Sequence, residues 1–177
     1  MSTKQMLFSG FGGQGILFAG KFIAYKGLME EKQVSWLPSY GPEMRGGTAS
    51  CSVIVSDEPV GSPIVSNPDV LVAMNLPSLD KFEATVAPGG MIFADSTLIE
   101  RKVERTDLKV FYIPATQLAS ENGMATLANM IIVGKILKEL GEYDEEKITD
   151  ALKKVISAKR ADMLETNLKA MRIGAEN

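Results

Sequence analysis

Four glycines fall within the six residues Gly10-Phe11-Gly12-Gly13-Gln14-Gly15, between a short apolar run and a longer run of helical periodicity. Glycine lets a backbone reverse sharply with no side chain in the way, so this stretch dictates how the fold must begin. Gln5 to Ser9 reads as a buried strand. From Gln14 to Met29, the residues Ile16, Leu17, Ala19, Gly20, Ile23, Ala24 and Gly27 recur at spacings of three and four, which predicts a helix. Its small residues Ala19, Gly20 and Ala24 suit a close approach to a sheet. Strand, glycine turn and helix in that order open a doubly wound sheet.

The rest of the chain extends that plan. Gln33 to Leu37 predicts a strand ending at Pro38, followed by a loop from Pro38 to Gly47. Thr48 to Ser56 alternates, with Ala49, Cys51, Val53 and Val55 on one face, and the turn residues before it predict an antiparallel strand. Ile64-Val65 reads as a strand stub. Further strands are expected at Val70–Met74, Met91–Ala94 and Val110–Ile113, with a helix over Ser78–Val86. The last third is helical. One helix starts near Thr126 and is closed by Gly141, one is capped by Asp144, and one runs from Arg160 to Met171. The expected fold is therefore α/β: a mostly parallel sheet with helices on both faces, a Rossmann-like start, one antiparallel strand and a helical C-terminal third. Residues 1–177 read as a single domain.

Composition removes several function classes. The net charge of −3 offers no global basic field for nucleic acid. Lys153, Lys154, Lys159 and Arg160 gather late and read as solvated helix faces. With no histidine, the chain lacks the commonest general base and any Ser-His-Asp triad. A lone cysteine, Cys51, excludes an iron–sulfur cluster held by this chain alone, since such a cluster takes about four thiolates; no metal-ligand set is expected. No apolar run approaches the ~18 residues of a membrane span. The start at Met1-Ser2-Thr3 leaves no room for a signal peptide, so a cytoplasmic location is expected.

Gly10 to Gly15 matches G-x-G-x-x-G, and amides at such a helix start can hold a phosphate. A dinucleotide site also wants an acid at the end of the second strand. Glu30 and Glu31 precede that strand, and Pro38 and Ser39 follow it. The alternative is a tight turn presented to a neighbouring chain. A P-loop spacing at Gly15–Lys21 is rejected, because Phe22 stands where a magnesium-binding Ser or Thr is required. Ser39, Tyr40, Gly41, Pro42, Glu43, Met44, Arg45, Gly46 and Gly47 form the least ordinary stretch. Its large side chains, with Trp36 before it, are types found at interface hot spots, so it reads as an interface or ligand contact. Asn75 and Asp95-Ser96 stand where parallel strands should end and ligands bind, but capping and turn chemistry is the favoured reading of both.

Taken together, the Gly10–Gly15 loop, the Ser39–Gly47 stretch, the Asn75-Leu76-Pro77-Ser78 turn and Ala128-Asn129-Met130 resemble the γ subunit of 2-oxoacid:ferredoxin (acceptor) oxidoreductases. The resemblance covers nearly the whole chain. The wording Glu43-Met44-Arg45-Gly46-Gly47 is similar to the 2-oxoglutarate and branched-chain 2-oxoacid enzymes rather than the pyruvate enzymes. It implies an accessory subunit with no catalytic residue of its own. The whole enzyme would convert a 2-oxoacid, with 2-oxoglutarate first and 2-oxoisovalerate as the alternative, and coenzyme A to acyl-CoA, carbon dioxide and reduced ferredoxin. Thiamine diphosphate, magnesium and [4Fe-4S] clusters would belong to α, β and ferredoxin-like δ partners, and no cofactor to this chain alone. Neither nucleic acid nor membrane is an expected partner, and a homodimer of the isolated chain stays open. The glycine loop and the Pro38–Gly47 loop would face the catalytic partners, with Arg45 or a lysine available to coenzyme A phosphate. The competing reading is a free-standing dinucleotide-binding oxidoreductase that uses Gly10–Gly15. If the loop is an interface, Arg45→Ala should leave the circular dichroism spectrum unchanged and weaken complex assembly or turnover. Normal assembly with full activity would remove the case for that loop.

Overall fold

Apolar runs separated by glycine and proline turns become six strands in the computed structural model, which describes residues 2–40 and 48–177. These are β1 (Thr3–Phe11), β2 (Gln33–Tyr40), β3 (Thr48–Ser56), β4 (Val70–Ala73), β5 (Met91–Asp95) and β6 (Lys109–Ile113), in the order β2-β3-β1-β4-β5-β6. β1, β4, β5 and β6 pair parallel in succession. β3 runs antiparallel to both β1 and β2. The sheet is thus mostly parallel, and the one reversed strand is the expected Thr48–Ser56. Val70-Leu71-Val72-Ala73 is buried along its whole length, as a strand covered on both faces should be.

Helices α1 (Ile16–Met29), α2 (Leu76–Phe82), α3 (Ala115–Glu121), α4 (Ala128–Glu139), α5 (Glu145–Val155) and α6 (Met163–Glu176) cover the two faces unequally. On one face Met6, Phe8, Val53, Val72 and Phe93 pack with Phe22 and Ile23 of α1, Met130 and Ile131 of α4, and residues of α3, α5 and α6. On the other, Leu7, Leu71 and Ile92 pack with Leu79 of α2, Val86 and Ile99. α5 begins where Asp144 caps it, accepting from the amides of Glu146 at 3.1 Å and Lys147 at 3.2 Å.

Several boundaries differ from the sequence reading. β1 extends over Gly10 and Phe11, so the turn proper is Gly12 to Gly15. β2 continues through Pro38 to Tyr40, with Pro38 opposite Cys51. β2 is an edge strand, where a missing N–H is tolerated. Ile64-Val65 forms no strand. α2 ends at Phe82 and passes into a 3-10 turn at Glu83–Thr85. α3 has no counterpart in the sequence reading: it is seven residues long, too short for a periodic signal, and its first amides bond to the distant side chains of Asp95 and Thr97 rather than to a local cap. The last helix starts at Met163, after a 3-10 turn at Ala158–Arg160.

α4 and α6 cross in backbone contact. A Cβ on Gly134 would lie 2.0 Å from the Met171 carbonyl oxygen, and one on Gly174 would lie 1.8 Å from that of Ile131. Neither oxygen can move without its helix. Gly174→Ala should therefore destabilise the fold by about 1–3 kcal/mol, roughly 2–12 °C in Tm for a chain of this size. A thermal melt checks this, and an unchanged midpoint would mean the helices part freely.

Candidate functional site

β1 and β4 are parallel neighbours, yet α1 and α2 leave them toward opposite faces of the sheet. The carboxyl ends of two such strands border the crevice where open α/β sheets bind ligands. Gly12 to Gly15 follows β1 at this point, and Asn75 follows β4. The register brings a third stretch to the same end. Gly10 stands opposite Ala49, which stands opposite Tyr40, and Ser9, Ser50 and Ser39 form the rung below. Tyr40 and Thr48, which flank residues 41–47, are thus anchored beside the glycine turn, roughly 10 Å across two strand spacings. Gly41, Pro42, Glu43, Met44, Arg45, Gly46 and Gly47 lie outside the described residues.

Gln14 joins the glycine turn to β4. Its Oε1 accepts from the Phe11 amide at 2.6 Å, and its Nε2 donates to the Met74 carbonyl at 3.0 Å, one residue before Asn75. The Gln14 amide donates to the Phe11 carbonyl at 3.2 Å and closes the turn over Gly12 and Gly13. Gly15 caps α1 in the left-handed region, with φ 74°, where a Cβ would be strained. That Cβ would also lie 2.4 Å from Nδ2 of Asn129, in the first turn of α4. Instead, Asn129 Nδ2 donates to the Gly15 carbonyl at 3.0 Å, and the Ala19 amide donates to the same oxygen at 3.0 Å.

No side chain among the described residues caps the start of α1, and its first turn holds no acid. The amides of Ile16, Leu17 and Phe18 lack intrahelical acceptors and lie at the positive end of the helix dipole. An anionic group such as a phosphate is the chemistry they can accept. Asn75 caps α2, accepting from the Ser78 amide at 2.8 Å, and Ser78 Oγ lies 2.8 Å from Ser9 Oγ. Asn75 Nδ2 and Asn129 Oδ1 are buried with no hydrogen-bond partner among the described residues. Unpaired buried groups of this kind are expensive, about 1–3 kcal/mol each. Asp95, at the end of β5, turns inward: it accepts from Thr116 Oγ1 at 2.5 Å and the Thr97 amide at 3.1 Å.

The geometry separates the pieces of a dinucleotide site. Glu30 lies at the far end of α1, paired with Lys26 at 3.0 Å and Lys147 at 3.5 Å. It borders a cavity of about 110 Å³, lined also by Lys4, Lys32 and Glu142, at the amino end of β1. Lys26 is only 4% exposed, and a second carboxylate, Glu142, lies 3.7 Å from it. Cys51 is fully buried, its Sγ 3.6 Å from the Ile16 carbonyl. Burial pushes its thiol up to about 12. No cluster of three or more His, Cys, Asp or Glu side chains suited to a metal occurs among the described residues. Nor is any helix long and apolar enough to cross a membrane among them.

Comparison with known proteins converges. The family model for pyruvate ferredoxin/flavodoxin oxidoreductase matches residues 5–177. The ketoisovalerate oxidoreductase subunit VorA of Methanothermobacter thermautotrophicus is 42% identical over 170 residues, covering 95% of this chain but 35% of that protein. The chain thus spans about a third of the length of that relative. The 2-oxoglutarate synthase subunit KorC of Methanocaldococcus jannaschii is 34% identical over 152 residues, covering 84% of this chain and 81% of that one. The crystal structure of the γ subunit of a keto/oxoacid ferredoxin oxidoreductase from Geobacter sulfurreducens superposes with TM-score 0.85 at 29% identity, covering 99% of this chain and 96% of that one.

The sequence reading singled out Gly10–Gly15 and Asn75 separately, and the structure brings them together through Gln14. Asn129 entered that reading only through its likeness to a family. Its bond to Gly15 spans 114 residues and leaves no local signal. Gln14→Ala removes both the Phe11 and the Met74 contacts and should destabilise the fold by about 1–3 kcal/mol. Gln14→Glu keeps the acceptor but aims a carboxylate at the Met74 carbonyl, so it should lose at least as much. Urea denaturation measures both, and wild-type stability in either variant would mean that the turn holds without this side chain.

Proposed function

Because the chain belongs to the pyruvate ferredoxin/flavodoxin oxidoreductase family, we propose that it is the γ subunit of a 2-oxoacid:ferredoxin oxidoreductase. The observation that carries this reading is the end-to-end likeness to a solved γ subunit, 99% of one chain on 96% of the other. The complex would turn a 2-oxoacid and coenzyme A into acyl-CoA and carbon dioxide, passing two electrons to ferredoxin. Thiamine diphosphate and iron–sulfur clusters would be held by α, β and δ partners. This chain would contribute position. Gln14 and Asn129 hold the start of α1 at the mouth of the crevice. The free amides of Ile16 to Phe18 would meet a phosphate of coenzyme A, and the Ser39–Gly47 stretch, with Arg45, would contact the catalytic partners.

Two observations bear on the 2-oxoacid. The 42% identity to a ketoisovalerate subunit favours a branched-chain substrate. The match in length to a 2-oxoglutarate synthase subunit, 81% of which is covered, favours 2-oxoglutarate. Co-expression with thiamine-binding partner subunits, followed by assay of coenzyme A-dependent ferredoxin reduction with 2-oxoisovalerate, 2-oxoglutarate and pyruvate, separates them. Turnover should require this chain and be greatest with one of the first two acids. Failure to co-purify with such partners, together with micromolar binding of NAD(H), FAD or ATP by the isolated chain, would replace this reading with a free-standing nucleotide-dependent enzyme.

A further inference from the structure

The basic residues near the end of α5 look like an ordinary solvated face in the sequence. The structure gives them a different setting. α5 stops at Val155, Ile156 and Ser157 run extended, and the 3-10 turn Ala158–Arg160 leads into α6. A notch of about 190 Å³ opens at this corner, lined by Lys153, Ile156, Ser157, Ala158, Ala161 and Leu164. Ile156 and Leu164 are half-buried at the notch, Lys153 stands in its wall, and Lys154, Lys159 and Arg160, exposed, adjoin its lining residues in sequence.

Local electrostatics explains only half of this cluster. Lys153 and Lys154 lie in the last turn of α5, where cations complement the helix dipole. Lys159 and Arg160 come just before the start of α6, where the dipole disfavours cations. None of the four forms an ion pair among the described residues. Asp150, Asp162 and Glu165 are the nearby acids in sequence, all exposed, and none pairs with them. Three other hollows on the molecule contain carboxylates in their own walls: Glu30 and Glu142 in one, Asp80, Glu83 and Glu104 in another, Glu58 in the third. The notch at Ile156 and Leu164 contains none.

We propose that the notch between α5 and α6 is a docking site for an acidic protein segment that inserts one aliphatic or aromatic side chain between Ile156 and Leu164 while its carboxylates meet Lys153, Lys154, Lys159 and Arg160. Charge complementarity selects the partner's sign, and the apolar wall selects a protein over a purely polyanionic ligand. The site stands apart from the crevice at β1 and β4 and does not depend on the function proposed for it.

The probe is a fluorescein-labelled peptide with one phenylalanine between runs of glutamate, titrated into the full chain and followed by anisotropy. Saturable binding is expected, weakening as salt screens the charges. It should fall about tenfold or more in the Lys159→Glu/Arg160→Glu variant, with the Tm unchanged because both side chains are exposed. Replacing the peptide's phenylalanine by alanine should also lower affinity at least about fivefold, through loss of buried apolar area. A control charge reversal at Lys81, on α2, should leave binding as it was. The proposal is overturned if the peptide does not saturate, if the alanine peptide binds equally well, or if phosphatidylserine vesicles or duplex DNA bind this corner while the peptide does not.

Discussion

The close seating of α1 on β3 underlies the rest of this structure. The chain leaves β1, forms α1 and returns as β2, yet β3 occupies the place between those two strands. Two strand spacings are about 10 Å, close to the diameter of a helix, so α1 is obliged to lie directly over β3. It can do so only with a small-residue face. A Cβ on Gly20 would lie 2.3 Å from Cys51 Sγ, and one on Gly27 would lie 2.9 Å from Val34 Cγ1. Once α1 is seated, its first turn is held from three sides: by Cys51 of β3, by Asn129 of α4, and through Gln14 by the Met74 carbonyl after β4. The same contact buries Cys51, and burial is what keeps its thiol protonated.

Much of this was legible because it is local. The small face of α1 repeats at helical spacing, β3 alternates from Thr48 to Val53, and Asp144 announces α5 with acids after it and lysines at the other end. What stayed hidden is set by distant partners. Pro38 reads as a stop, but an edge position makes its missing N–H harmless. α3 has two turns and no local cap, its first amides bonding to Asp95 and Thr97 some twenty residues earlier, and its buried residues, Ala115 and Ala119, are too few for a periodic signal. At the site, the glycine turn, Asn75 and the Ser39–Tyr40 end of β2 each carry a local signature. Their meeting at one end of the sheet depends on which strands become neighbours. No spacing in the sequence encodes that β3, rather than β2, pairs with β1.

That choice of neighbour also explains why a dinucleotide-like turn sits in a sheet of a different kind. In a dinucleotide fold the ribose-binding acid hangs from the end of the strand beside β1 and parallel to it. Here the neighbour on one side is antiparallel, so the residue opposite Phe11 is Thr48, where β3 starts. On the other side the parallel strand ends in Asn75, a neutral amide. Glu30 and Glu31, close to the right distance in sequence, follow α1 to the far end of the sheet, where Glu30 pairs with Lys26 and Lys147.

The two ends of β1 therefore differ in electrostatic character. At the amino end, lysines and glutamates are interleaved and largely neutralise one another. At the carboxyl end the side chains that shape the crevice are amides, those of Gln14, Asn75 and Asn129, and the nearby carboxylate, Asp95, spends its oxygens on Thr97 and Thr116. An anion arriving there meets amide dipoles and the positive end of α1, with no carboxylate directed at it from these described residues. Repulsion from fixed negative charge would defeat phosphate binding at a helix start in a chain that is acidic overall. Glu30, at the opposite end of α1, keeps its carboxylate away from this end of the sheet.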